Sequence, residues 1–235
     1  MIRILILSLV CLTPLLSFAA PEVTNTNNQP AAKAAASTPA QPAAEQKKPE
    51  VLPTREALLM QQESDFFVGK NDAKITVFEY SSLNCPHCAN FHQEVFKKIK
   101  AEYIDKGLVK YVYRDFPLNR VALAGSKLAH CAGKDRYFDF LTSLFESQRV
   151  WAFNNSYMDS LLNIAKLGGI SEDKFKQCQE DKKLEDFLVK RAQDATTVLK
   201  IESTPNFFVN GEQLTGEIPY IKFKEVLDKK LLATK

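Results

Sequence analysis

Cys85, Pro86, His87 and Cys88 stand in a row where a β-branched, aromatic run gives way to a helix-period pattern. Two cysteines three apart on a first helical turn can close a disulfide at little loop cost. A helix start also offers unpaired N–H groups and the positive end of the helix dipole, which favour a thiolate over a thiol. Cys85, nearest that end and expected to be the more exposed of the two, should feel this most. Pro86 takes the first helical position, where its missing N–H costs nothing. His87 brings a polar donor, or a cation, beside the same sulfur. A stabilised thiolate leaves readily and stabilises the reduced pair, so the pair should tend to oxidise another dithiol. The expected chemistry is disulfide donation, with Cys88, one turn deeper, as the resolving thiol.

The elements that must hold this pair flank it closely. Residues 73–80 (AKITVFEY) follow an Asn-Asp turn signal and read as a strand. Its alternation puts Glu79 on one face with Ile75 and Val77, which favours burial of the carboxyl. A helix is expected from about 85 to 103, with Cys88, Phe91, Val95, Phe96, Ile99 and Tyr103 at three-and-four spacing. After Gly107 a second strand is expected over 108–116, and residues 66–69 suggest a short edge strand. The resulting β-α-β unit implies parallel strands with a right-handed crossover. Residues 118–200 read as four helices, over 121–131, 135–148, 157–167 and 171–200. Strand signals return at 206–209 and 212–215 around Asn210-Gly211, a type I′ turn pair, before a closing helix from 219 to about 232. The fold class expected is α/β with a helical insertion.

The segment FEYSSLNCPHCANFH resembles the active-site segment of DsbA-like thiol:disulfide oxidoreductases, thioredoxin-fold enzymes of the bacterial cell envelope. The resemblance covers about residues 63–235, insertion included, and implies a thioredoxin-like fold. It carries two further positions. Thr204-Pro205 matches the family's cis-proline loop, which faces the CxxC pair and presents backbone to an extended substrate strand. Glu79 matches the buried acid that relays a proton from the resolving cysteine. The residue before the proline is Thr204, where the best-known oxidases carry valine, which leaves open the potential, the substrate preference and the re-oxidation partner. The resemblance implies reduced secreted polypeptides as substrates and a quinone-linked membrane protein as re-oxidase. It implies no cofactor and no metal. The family's isomerases add a folded dimerisation domain, which residues 20–62 are too polar and proline-rich to form; a monomer is expected.

The chain has 235 residues, 45% hydrophobic and 25% charged, which argues against wholesale disorder and a multi-pass membrane protein. A net charge of +3 without any concentrated basic run gives no nucleic-acid footprint. Arg3, the apolar run 4–16 and the small residues Ser17 and Ala19 read as a cleaved signal over 1–19, hence a periplasmic protein. An uncleaved anchor is the alternative, but the run is short for a bilayer span. Export would remove Cys11 and turn an odd set of five cysteines into an even four. Residues 20–62 read as a disordered Pro/Ala-rich tether ending in a short helix near 54–62, so the folded domain is expected over 63–235.

Cys131 and Cys178 both fall in the insertion, as two free thiols or as a second bridge; an oxidising compartment favours the bridge. The 46 intervening residues would make it worth about 4 kcal/mol in the chain-entropy model. Alphaproteobacterial members of the family resemble this arrangement. Zinc is a competing use for Cys85 and Cys88, but no second CxxC or HxxxH pair completes a site, and His92 and His130 read as lone helix histidines. A peptide-binding adaptor without redox turnover is the rival function, and it has no use for two adjacent thiols.

Overall fold

The structure is a computed structural model that describes residues 51–233; the expected signal, Cys11 and residues 20–50 of the expected tether lie outside the described residues. Five strands form one sheet in the order β1-β3-β2-β4-β5. The central strand β2 (Ile75–Ser81) runs parallel to β3 (Val109–Asp115) and antiparallel to β4 (Asn206–Val209). Short β1 (Phe66–Val68) closes the β3 edge, and β5 (Glu212–Thr215) closes the β4 edge, both antiparallel. A strand flanked on both sides and covered on both faces must be apolar almost throughout. All of β2 except Thr76 is indeed buried, Glu79 included. Asn210 and Gly211 both take positive φ, 46° and 85°, as the expected hairpin turn requires.

A four-residue helix α1 (Arg55–Leu58) precedes the sheet. From Pro86 the chain is helical to Ile104, and we call this segment α2. It begins as regular helix (Pro86–Asn90), widens to π-helical turns at Phe91–Phe96, passes through Lys97–Ile99 and widens again at Lys100–Ile104. The wider turns bury Phe91 and His92 side by side, so the covered stripe is broader than a uniform 3.6-residue period predicts.

Between β3 and β4 lie α3 (Arg120–Cys131), α4 (Tyr137–Glu146), α5 (Gln148–Trp151), α6 (Tyr157–Leu167), α7 (Glu172–Glu180) and α8 (Lys182–Leu199). Two of the four expected helices are therefore divided. Helix 135–148 breaks at Ser147, and helix 171–200 breaks at Asp181, whose extended backbone (ψ 101°) ends α7 while its side chain caps α8 through the Leu184 N–H at 3.0 Å. An aspartate competes for backbone N–H groups and so serves better as a cap than inside a helix. Helix α9 (Tyr220–Ala233) follows β5.

Three packed clusters result. One sheet face packs on α2 and α9 through Ile75, Val77, Phe91, Ile99, Phe207 and Phe223. The other face packs on α1 and α8 through Leu58, Tyr80, Phe208 and Leu199. The third cluster joins the insertion to the turn that carries the two cysteines, with Leu83, Cys85 and Cys88 packed among Tyr137, Leu141, Phe145 and Trp151. The insertion core is thus continuous with the cysteine pair.

The boundary of the folded body lies earlier than residue 63. Leu58 is buried, and the Leu58 and Met60 carbonyls accept hydrogen bonds from the Arg114 guanidinium. Arg114, fully buried on β3, also forms a bidentate pair with Asp65 (2.7 and 3.1 Å), and Arg191 of α8 reaches the same carboxylate at 2.9 Å. A buried guanidinium demands acceptors on every side, and residues 58–65 supply them; that is why this stretch is held although its sequence looks like linker.

Candidate active site

Cys85 caps α2. Its extended backbone (φ −86°, ψ 120°) follows a turn closed by Cys85 N–H to Ser82 O at 3.0 Å, and Pro86 sits at the first helical position. Cys85 is 7% exposed, whereas Cys88 is wholly buried, and both are free thiols. The Thr204–Pro205 peptide is cis, and Cys85 Sγ lies 3.4 Å from the Thr204 carbonyl oxygen, which accepts from the thiol. The Thr204 hydroxyl is buried without a partner among the described residues, so it is free to serve the sulfur once that ionises.

The two thiols are driven apart electrostatically. Hydrogen bonding from Cys88 pulls the Cys85 pKa down to about 6 despite burial, with the Thr204 hydroxyl and the Cys88 and His87 N–H groups assisting. Burial pushes Cys88 the opposite way, well above a free thiol, and the neighbouring Cys85 charge adds to it. The surroundings favour the ionised form of Cys85 and the protonated form of Cys88.

The His87 ring points outward, 69% exposed, with Nδ1 2.7 Å from Glu217 Oε2, while its backbone N–H serves the Cys85 sulfur. That carboxylate is the main reason its pKa is raised, and the Cys85 charge contributes least. His87 and Glu217 border a groove of about 570 Å³, whose walls include Thr204, Val95, Ile218 and Tyr220.

Glu79 is fully buried, and its Oε2 accepts from Tyr111 Oη at 2.8 Å and lies 3.2 Å from His92 Nε2; Oε1 has no partner among the described residues. His92, read from sequence as an ordinary helix residue, is 3% exposed, with its ring stacked on Phe145 of the insertion at 4.4 Å. A signal existed: His92 lies four residues after Cys88 and so shares its helix face. His130 was also underrated, for its Nε2 lies 2.9 Å from buried Asp115, which Tyr137 also contacts at 2.8 Å. Burial alone would raise the Asp115 pKa, but the His130 contact and further hydrogen bonds hold it low. No group of three or more His, Cys, Asp or Glu among the described residues could hold a metal ion. Cys131 at the end of α3 and Cys178 on α7 are joined by a disulfide, with Cα atoms 5.9 Å apart.

A helix-capping CxxC opposite a cis-proline, on a mixed five-stranded sheet, defines the thiol:disulfide exchange class of α/β proteins. The comparisons with known proteins agree with that geometry. A family model described as thioredoxin matches residues 61–229. Wolbachia pipientis alpha-DsbA1 is 35% identical, and its crystal structure aligns with a TM-score of 0.71 over 74% of this chain and 94% of that one. A Rickettsia felis protein, provisionally named a protein-disulfide oxidoreductase, is 34% identical over 83% of this chain and 69% of its own. Disulfide bond formation protein D of Bacillus subtilis is 29% identical over 70% of this chain and 76% of its own. The chain belongs to the thioredoxin family and is a DsbA-like protein-disulfide oxidoreductase.

Proposed function

We propose that this enzyme is an exported oxidase that introduces disulfides into secreted polypeptides in the periplasm through the Cys85–Cys88 pair. The observation that carries the reading is the asymmetry of the two thiols, with Cys85 held near pKa 6 at the helix start and Cys88 buried and protonated. In the oxidised enzyme a substrate thiolate attacks Cys85 Sγ, the Cys85–Cys88 bond breaks, and Cys88 leaves and takes up a proton. The substrate's second thiolate then attacks the substrate sulfur of the mixed disulfide. The substrate disulfide forms, and Cys85 departs as its stabilised thiolate, carrying off the electron pair. The enzyme ends reduced by two electrons, which a quinone-linked membrane partner must remove. Glu79, buried on the strand before the redox turn, is the group we assign to moving the Cys88 proton. The Thr204 carbonyl and the adjoining groove would receive the substrate as an extended strand. Export rests on the 1–19 pattern of a charged start, an apolar run and small residues at the cleavage point.

The deciding experiment is the reduction potential of the Cys85–Cys88 pair, measured against glutathione together with oxidation of a reduced model protein. A potential near about −120 mV supports the oxidase, and one near about −270 mV, the thioredoxin value, would make the enzyme a reductant instead. The Cys85→Ala variant should be inactive; retained activity would sink the mechanism.

A further inference from the structure

Gln148 opens α5 in the helical insertion, 63 residues after Cys85 in the chain, yet its side chain is 3% exposed and ends in the redox turn. Its Nε2 donates both hydrogens to main-chain carbonyls there, to Leu83 O at 2.8 Å and to Cys85 O at 3.0 Å. The Cys85 carbonyl also takes the first helical bonds of α2, from Cys88 N–H at 3.1 Å and Ala89 N–H at 3.2 Å. Three donors from two parts of the fold therefore converge on the peptide of the cap residue whose sulfur faces Thr204.

The anchor of this amide is rigid. Trp151, one turn along α5, is fully buried and donates from Nε1 to Leu144 O at 2.8 Å. Its ring lies so close to Gly125 of α3 that a Cβ there would meet it at 2.7 Å and the Leu83 side chain at 3.2 Å. Glycine at 125 lets α3, Trp151 and Leu83 close up, and this contact carries Gln148 to the two carbonyls.

We propose that Gln148 is a positioning residue for disulfide exchange: from the insertion it clamps the Leu83 and Cys85 carbonyls and so fixes the Cys85 sulfur at the helix start and against Thr204. The inference rests on the function proposed above and names the residue that makes the insertion part of the redox machinery. Without the clamp the turn can pull away from the helix axis, and the sulfur loses the N–H groups and hydroxyl that favour its ionised form. The reduced enzyme, which carries that charge, should suffer more than the oxidised one.

The test uses the full chain as wild type, Gln148→Leu and Gln148→Glu. The Leu variant removes both donors at similar volume. The Glu variant keeps the shape but sets an acceptor against two acceptors. Cys85 ionisation is followed by thiolate absorbance, the pair's equilibrium by glutathione titration, and melting in both redox forms. In each variant we expect the Cys85 midpoint to rise and the glutathione equilibrium to become less oxidising by roughly threefold to tenfold, the net worth of about one hydrogen bond. The reduced form should also lose more melting temperature than the oxidised form. Equal losses in both forms, with midpoint and equilibrium unmoved, would mean that Gln148 merely packs, and would overturn the proposal. Should the Leu variant fail to fold, Gln148→Met, which likewise lacks a donor and adds no charge, decides between the same two outcomes. A wild-type enzyme that failed to oxidise a reduced substrate would remove the proposed function, while the effect of the variants on Cys85 ionisation would still be readable.

Discussion

The chain contains two cysteine pairs that obey opposite physics. Cys85 and Cys88 lie within one helical turn, at a cap where N–H groups converge, and remain free thiols with widely separated acidities. Cys131 and Cys178 lie 47 residues apart, on the α3 end and on α7, and are bonded to each other. Cys131 Sγ lies 3.7 Å from the Lys174 carbonyl oxygen, near the end of a helix rather than at its start. Pairing of two sulfurs therefore says little about redox chemistry. What distinguishes the pairs is whether the surrounding backbone favours a thiolate, which the first turn of α2 does.

The sharpest way to break this contrast is to exchange the pairs' fates. Cys85→Ala should abolish oxidation of a reduced model protein, whereas the Cys131→Ser, Cys178→Ser double variant should oxidise it at a nearly unchanged rate. A collapse of activity in a folded double variant would show that the second pair belongs to the machinery. The same double variant should lose about 4 kcal/mol of unfolding free energy, the worth of closing a loop of this length, as read from denaturant melts.

A smaller effect tests the acidity itself. In the reduced enzyme the rate of Cys85 alkylation should fall about tenfold per pH unit below a midpoint near 6, with Cys88 unreactive throughout. The stability sign follows. Cys85 has a folded pKa below its unfolded value, so its contribution is complete above the unfolded pKa, about 8.5, and is lost as pH falls through about 6. The reduced form should thus gain on the oxidised form as pH rises across that window; a flat difference between the two melting curves would contradict it. The smallest change is expected for Glu217→Gln. It should lower the His87 titration midpoint, visible by NMR, while shifting Cys85 only slightly, because the His87–Glu217 pair is solvent-exposed.

Much of this site was legible before any coordinates. The CPHC run carries the proposed chemistry in its own spacing, and its proline marked the helix start that the structure has at Pro86. Burial of Glu79 followed from alternation with Ile75 and Val77. The ring position of His87 did not follow, since its partner Glu217 lies 130 residues away and only the β5–α9 connection brings it close. His92 carried a faint signal in its spacing from Cys88, but its hydrogen-bonding contact with Glu79 required α2 to pack on β2. Gln148 carried none, because a glutamine in a helical run looks like any solvated position until the insertion folds back onto the redox turn. Nothing in the sequence marks Arg114 and Arg191, and only their shared contact with Asp65 explains why residues 58–65 are held.

The sequence by itself determined the reactive pair, the α/β class with its helical insertion, and the acidic residue on the central strand. These depend on neighbours in the chain and on periodicity, which sequence order encodes directly. Tertiary structure alone decided which carbonyl the Cys85 sulfur lies against, which histidine meets which carboxylate, and which glutamine reaches the turn. Each of those depends on groups separated by 13 to 130 residues, brought within hydrogen-bonding distance only when sheet, helix and insertion close on one another.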